Sequence, residues 1–437
     1  MLTRRSFLGL TGAAGLATAT PIRARDLLTQ VQDRLPPLER PSGAPDAVAR
    51  DEAYWRRVAA HYRVIDDITN LEAGFFGMMA VPVLAEYHRQ IDRVNRASSY
   101  YARRGYGPEF EAARQRVARF LGASPAEIAL TRGATEALQR LIIQYRRVGA
   151  GDVVMYADLD YNAMQWAMNA LAEQRGARVA RLEIPEPATH EEVLAVYRRA
   201  LETHPRTRLL LLTHLNNKTG LIIPVREIVE LAHARGADVV VDAAHSFGQC
   251  DLTFQDLGAD FVGLNLHKWL GAPVGAGVMY IRENRLGDIH RMLADESAPA
   301  DRIESRVHTG TANFATFLTV PAALDFHDAV GGAFKAARLR HLRDRWVRQA
   351  RPIAGLDILT PDNAMVAAIT SFRLHGRGGR AENQGVAAEL LERDRLFTVW
   401  RTGVARGDCV RVTPALYNTL ADMDRLAGAL AALAARG

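Results

Sequence analysis

The sequence predicts an α/β protein: a mostly parallel seven-stranded sheet flanked by helices, with a smaller α+β C-terminal domain. Between residues 128 and 281, seven short and almost wholly apolar segments alternate with segments of helical periodicity. Strands without a polar face belong to a sheet covered on both sides. After about residue 325 the pattern changes to long arginine-rich helices with scattered strands. The 437 residues are 48% hydrophobic and 24% charged, an ordinary globular composition that excludes wholesale disorder.

Taken in order, the chain opens with Arg4 and Arg5 ahead of a short, mildly apolar stretch ending in Ala17-Thr-Ala19. This is the layout of a cleavable signal, and Thr3-Arg4-Arg5-Ser6-Phe7-Leu8 resembles the twin-arginine type. Residues 1–19 are therefore expected to engage twin-arginine export machinery and direct the chain to the periplasm. Cleavage after Ala19 lowers the formal charge from +6 to +4. Residues 20–65 read as an N-terminal arm, with Pro36, Pro37, Pro41 and Pro45, followed by a helix over 51–62. Residues 66–325 form the expected large domain and 326–437 the small one.

Within the large domain, Asn70–Gly77 reads as an irregular loop, 83–95 as a long helix, and Tyr100–Gly107 as a loop rich in aromatics and arginines. Glu109–Leu121 is amphipathic and stops at Gly122, a good C-cap. Strands are expected at 128–131, 152–156, 179–184, 208–214, 238–242, 261–265 and 277–281. Helices are expected at 135–145, 163–174, 190–202 and 225–235.

Several functional classes are set aside. Beyond the N-terminus no apolar run approaches the ~20 residues of a membrane span, so stable membrane insertion is not expected. Two cysteines, Cys250 and Cys409, make neither a disulfide framework nor a four-cysteine zinc site. The arginines lie on helix faces such as 338–345 beside carboxylates, without aromatic interleaving, so nucleic acid is not an expected partner.

Only three residues are lysine: Lys218, Lys268 and Lys335. Arginine does not lose its proton in proteins, whereas a desolvated lysine can become a nucleophile. Lys268 follows the apolar segment 261–265 and precedes a run of glycines and alanines, placing it at a strand end where α/β sheets bind ligands. Lys335 reads as solvated on a polar helix, and Lys218 as a loop lysine. Asp242 closes the apolar run Asp238-Val-Val-Val-Asp242, a costly burial without a cationic partner. A pyridinium nitrogen would be such a partner. His245 lies three residues on, and no second ligand cluster supports a metal at this pair. Thr131-Arg-Gly-Ala-Thr-Glu-Ala-Leu138 joins a strand to a helix through glycine, a backbone cup suited to phosphate. It lacks the Gly-x-x-x-x-Gly-Lys pattern of a nucleotide-triphosphate loop.

In this order and spacing, these elements resemble the class V aminotransferase family, fold type I pyridoxal-phosphate enzymes that include cysteine desulfurases, kynureninases and isopenicillin-N epimerases. Asn216-Asn-Lys-Thr-Gly220, His267-Lys-Trp-Leu-Gly-Ala-Pro273 and His308-Thr-Gly-Thr-Ala-Asn313 point to the isopenicillin-N-epimerase-like branch. The resemblance implies pyridoxal 5'-phosphate as cofactor, with Lys268 forming the internal aldimine and later moving the α-proton. Asp242 would pair with the pyridine nitrogen, and His245 and Asn217 would lie near the phenolic oxygen. Ala134, Thr135, Asn265 and His267 would hold the phosphate, and Tyr161 would stack on the ring. Thr311 would reach the phosphate of a neighbouring subunit, implying a homodimer with shared sites.

The same resemblance makes Arg411 the arginine for the carboxylate of a small amino-acid-like substrate, with Arg401 a second candidate. Arginine can present a bidentate fork that lysine cannot. Chemistry at Cα through an external aldimine and a quinonoid is implied, ending in epimerisation, elimination or transamination. Residues 401–408 carry no cysteine where desulfurases have one, which disfavours sulfur transfer. The reading from another class, a degenerate exported binding protein, sits poorly with intact Lys268, Asp242 and Arg411.

Overall fold

The central sheet runs, edge to edge, Ile128–Thr131, Gly277–Ile281, Phe261–Asn265, Asp238–Asp242, Thr207–Thr213, Val153–Ala157 and Arg178–Leu182. Pairing is parallel from Phe261–Asn265 through Arg178–Leu182, whereas Gly277–Ile281 runs antiparallel to both neighbours. This computed structural model describes residue 35 and residues 37–436 apart from 293–295. The expected export segment, residues 1–19, lies outside the described residues. No described helix is long and apolar enough to cross a membrane.

The seven expected strands are all present, with ends within two residues of expectation. Their apolar composition has the anticipated cause, since every residue of Val153–Ala157, Asp238–Asp242, Phe261–Asn265 and Gly277–Ile281 is buried. The outer strand Arg178–Leu182 exposes Arg178 and Arg181, charges that blunt an open sheet edge. Because the five parallel strands run in one direction, Thr213, Asp242 and Asn265 finish at the same edge. Ligands bind at that edge of an open α/β sheet.

The second layer is a four-stranded antiparallel sheet, in the order Val399–Arg401, Cys409–Val412, Thr370–Leu374 and Leu356–Ile358. Its apolar cluster joins Trp346, Leu390 and Leu430 from the helices Gly332–Ala350, Arg380–Asp394 and Leu420–Ala434. Leu71 belongs to the same cluster, and Thr69–Asn70 pairs in parallel with Leu396–Phe397. The start of the expected loop 70–77 is thus anchored on the small domain. The expected division at 325/326 falls inside the helix Phe314–Val330.

One expectation about the helices and loops is overturned. Tyr100–Gly107 is helical: Val81–Arg104 continues past Ser98, whose φ is 47°, and Tyr106–Leu121 starts two residues later. Packing overrides the two glycines. Tyr106 lies against Phe314 with ring centroids 4.1 Å apart, and the Tyr101 hydroxyl donates to Glu109 at 3.0 Å. The stop at Gly122 is as anticipated, with φ 69° in the left-handed region.

The N-terminal helix Glu52–Ala59 is capped by Asp51 and buries Tyr54, Trp55 and Val58 in the seam between the two layers. Trp269, the residue after Lys268, lies in the same cluster.

Candidate active site

The site is assembled on the strand edge just described. Asp242 ends its strand almost fully buried, and one carboxylate oxygen accepts the Ala244 N–H at 2.9 Å. Burial lifts this carboxyl to about 6, against the lowering effects of that N–H and of the Lys268 charge. Among the described residues it forms no salt bridge, so it is poised to receive a cation.

Lys268 follows the next strand. Its Nζ lies 2.9 Å from His245 Nε2, and the Trp269 indole N–H donates to His245 Nδ1 at 3.2 Å. Burial lowers the Lys268 ammonium to about 8; Asp242 and Glu72 oppose this, while Arg411 and Arg401 reinforce it. Burial also drives His245 well below the ordinary imidazole value, helped by the charges of Lys268, Arg411 and Arg401. Gly77 is required here: its N–H donates to the His267 carbonyl at 2.8 Å, and a Cβ would fall 1.8 Å from the Lys268 carbonyl oxygen.

The strand Ile128–Thr131 turns through Gly133 into the helix Ala134–Ile143. Asn265 Oδ1 accepts the Ala134 N–H at 2.8 Å, and the Thr131 hydroxyl donates to the Gly133 carbonyl at 3.0 Å. His267 hydrogen-bonds the Ala276 carbonyl at 2.8 Å through Nδ1, which must therefore carry the proton. The first-turn N–H groups of this helix, Thr135 among them, face the cavity at its positive end.

On the opposite wall, Arg411 is fully buried. Its Nη2 donates to Glu72 Oε1 at 2.5 Å and its Nη1 to the Asn217 carbonyl at 2.8 Å. Arg401 Nη2 also reaches Glu72 Oε1, at 3.4 Å. Two guanidiniums thus share one carboxylate, leaving a net positive wall. The Nε atoms of both arginines and Asn217 Oδ1 are buried without a hydrogen-bond partner. All three residues line one cavity of about 1290 Å³ that also contains Lys268, Asp242 and the helix N-terminus.

The structure therefore brings together Lys268, Asp242, His245, Ala134, Thr135, Tyr161, Asn217, Asn265, His267, Arg401 and Arg411. Thr311 stands apart, exposed and outside the cavity lining. Tyr161 is 42% exposed at the cavity wall, so core packing does not explain it.

Two lysines depart from expectation. Lys218 is 2% exposed, with its ammonium held by the carbonyls of Asp158 at 2.5 Å and Gly403 at 3.3 Å. Lys335 is buried and donates to the Trp269 carbonyl. Neither environment is visible in sequence, because their acceptors come from backbone remote along the chain. Glu72 was also missed; its only local mark is an acidic residue inside the small, apolar run Leu71-Glu-Ala-Gly74. At the other end of the strand ending in Asp242, His233, Asp238 and Asp260 lie together, but Arg285 pairs with both carboxylates.

Compared with known proteins, residues 81–426 match the model of the family described as Aminotransferase class-V. The chain belongs to this family. The class-V chain is 31% identical to the isopenicillin N epimerase of Streptomyces clavuligerus, over 74% of its own length and 83% of that protein. It is 30% identical to a probable cysteine desulfurase of Vibrio cholerae, over 74% of its length and 82% of the relative. In fold it is similar to a cysteine desulfurase from Escherichia coli, with a TM-score of 0.73 and 22% identity over 87% of this chain and 98% of that one. It is also similar to the cystine C-S lyase C-DES solved with cysteine persulfide, with a TM-score of 0.72 and 21% identity over 84% and 98% of the two chains.

The residues of this class-V chain fit a pyridoxal phosphate. Such a ligand needs an amine for its aldehyde, an anion for its protonated ring nitrogen and donors for its phosphate. Lys268, Asp242 and the Ala134 helix N-terminus supply these in one cavity. Asn217 Oδ1 and the two arginine Nε atoms are buried polar atoms whose pairing calls for a ligand.

Proposed function

We propose that the chain is an exported, pyridoxal-phosphate-dependent enzyme acting at the Cα of an amino acid or peptide-like amine, with an epimerase- or lyase-like outcome, and that it works as a homodimer. The observation that carries the reading is the convergence of a partly buried lysine, an uncompensated buried aspartate and two incompletely paired arginines on one cavity. Bound there, pyridoxal phosphate supplies an electron sink for a bond broken at Cα. Lys268 Nζ would hold the cofactor at its aldehyde carbon, and as a free amine it is the base placed to take and return the Cα proton. Asp242 would hold a proton on the ring nitrogen. Thr135, Asn265 and the backbone N–H groups of the helix would hold the phosphate, and His267, whose Nδ1 proton is committed to Ala276, would join them only with a second proton on Nε2. Arg411 and Arg401 orient the substrate carboxylate through their spare donors. Thr311, exposed and away from its own cavity, is available to a neighbouring subunit's phosphate.

Epimerase- or lyase-like chemistry is favoured over sulfur transfer by a specific observation. The thiolate is the sulfur nucleophile, and both cysteines have thiols pushed up to about 12 by burial. Cys409 is fully buried, with its thiol near the Lys218 carbonyl.

The test is the visible spectrum of the purified protein before and after addition of L- and D-amino acids. A yellow band shifted by one class of amino acid supports the reading, and chiral analysis of the product separates epimerisation, elimination and transamination. A protein that stays colourless with added pyridoxal phosphate refutes it.

A further inference from the structure

The pair Lys268–His245 continues into Trp269, a residue to which the cofactor reading assigns no role. An indole N–H can only donate, so His245 Nδ1, 3.2 Å from Trp269 Nε1, must offer its lone pair. A neutral imidazole carries one proton, which then sits on Nε2. Nε2 is the atom 2.9 Å from Lys268 Nζ. An ammonium has no lone pair to accept that proton, and two donors facing one another form no hydrogen bond. The contact is satisfied only when Lys268 is an uncharged amine.

The backbone around the three side chains is pinned. The His267 carbonyl accepts from Gly77 N–H at 2.8 Å, the Lys268 carbonyl from Gly271 N–H at 3.0 Å, and the Trp269 carbonyl from the Lys335 ammonium. The His245 carbonyl accepts from Gln249 Nε2 at 3.0 Å. With both segments held and Trp269 6% exposed, the order indole, imidazole, amine has little freedom to rearrange.

We infer that Trp269 is a positioning residue that fixes His245 as its Nε2–H tautomer and thereby holds Lys268 as a neutral amine. This rests on the reading that Lys268 binds the cofactor, and it explains how the amine is prepared. A free amine condenses with an aldehyde by forming a carbon–nitrogen double bond, breaking the carbonyl carbon–oxygen bond and releasing one water, with no change of oxidation state. An ammonium must first give up its proton. The charges facing this pair are Asp242 and Glu72, which favour the ammonium, and Arg411 and Arg401, which favour the amine.

The full-length chain freed of cofactor supplies two readouts independent of turnover. With ring-15N histidine, NMR should place the His245 proton on Nε2, assigned by difference from His245→Gln. Reductive methylation by formaldehyde and cyanoborohydride, followed at Lys268 by peptide mass spectrometry, should have its pH midpoint near 8. In Trp269→Phe the imidazole is free to protonate Nδ1 and to accept from a Lys268 ammonium. The midpoint should then rise by about one unit, which is roughly tenfold slower labelling at pH 7. A wild-type His245 protonated on Nδ1 overturns the inference, and so does an unmoved midpoint in a folded Trp269→Phe protein. The tautomer measurement needs no substitution at Trp269, so it decides even where that variant misfolds. Borohydride reduction of the loaded protein followed by peptide mapping tests the underlying assignment. An adduct on Lys218 or Lys335 would refute Lys268 as the cofactor lysine without altering the tautomer result.

Discussion

Replacing Glu72 with glutamine should destabilise the protein and tighten its grip on carboxylates, for one electrostatic reason. Glu72 is the carboxylate shared by Arg411 and Arg401, its side chain 4% exposed beside an Arg411 side chain that is 1% exposed. Glutamine keeps an acceptor of nearly the same shape and removes the charge, leaving two guanidiniums without a counterion. Breaking a buried ion pair by removing one partner costs ~3–5 kcal/mol. The retained acceptor and the partial exposure of Arg401 place the loss near the lower end, about 3 kcal/mol. With about 2.1 cal/mol/K of unfolding entropy per residue, 1 kcal/mol is worth about 1 °C in a chain of this length, so the cofactor-free protein should melt about 3 °C lower. A simple monocarboxylate then finds a more cationic wall. A tenfold gain in its affinity is about 1.4 kcal/mol, which at saturating concentration should return about 1.5 °C of the lost Tm. Differential scanning fluorimetry over a carboxylate titration reads both effects. A variant that melts within a degree of wild type, or that carboxylate stabilises no more than wild type, refutes Glu72 as the counterion of this site.

The remaining expectations are simpler. Lys268→Ala should abolish turnover and covalent cofactor attachment while leaving the far-ultraviolet circular dichroism unchanged; retained activity would remove the enzymatic assignment. Asp242, raised by burial from 3.8 to about 6, contributes stability that is fully present below pH 3.8 and withdrawn as pH rises through 6. In cofactor-free protein Asp242→Asn should therefore flatten the stability profile between those values and raise stability above pH 6 by up to about 3 kcal/mol, as melting temperature against pH would show. Changing Arg4 and Arg5 to lysine should strand the protein in the cytoplasm on cell fractionation, and an unchanged periplasmic yield would refute the export proposal.

What was legible in the sequence was legible because it is local. Runs such as Phe261–Asn265 announce buried parallel strands, and Lys268 is conspicuous in a chain that has 3 lysines among 55 basic residues. Asp242 is conspicuous because a carboxylate closes an apolar strand. Arg411 was reached by resemblance, and its surroundings were not legible. Glu72 and Arg411 are separated by 339 positions, and Lys218 and Gly403 by 185, so no window of sequence contains either contact. Tyr100–Gly107 failed for a related reason: its glycines argue for a loop, but Tyr106 packs on Phe314 from another helix. Trp269 enters the sequence reading only as part of the motif His267-Lys-Trp-Leu-Gly-Ala-Pro273. Its indole becomes informative only when the fold sets it against His245, 24 residues upstream.

The protein's own charges explain why these residues act together. Asp242 is raised by burial, and a protonated ring nitrogen would reverse that shift. Lys268 is depressed by burial, and an aldehyde would take it in its uncharged form. The helix N-terminus at Ala134 favours an anion, and Arg401 with Arg411 outnumbers Glu72 by one charge. Each group is unfavourable or underused alone, and each is corrected by a different part of one ligand pair: a pyridinium, an aldehyde, a phosphate and a carboxylate. A metal ion corrects only Asp242 and worsens Lys268, Arg401 and Arg411. A nucleotide satisfies the helix N-terminus and leaves Asp242 facing no cation. The set of perturbations, more than any one residue, selects pyridoxal phosphate and supports the proposed amino-acid substrate.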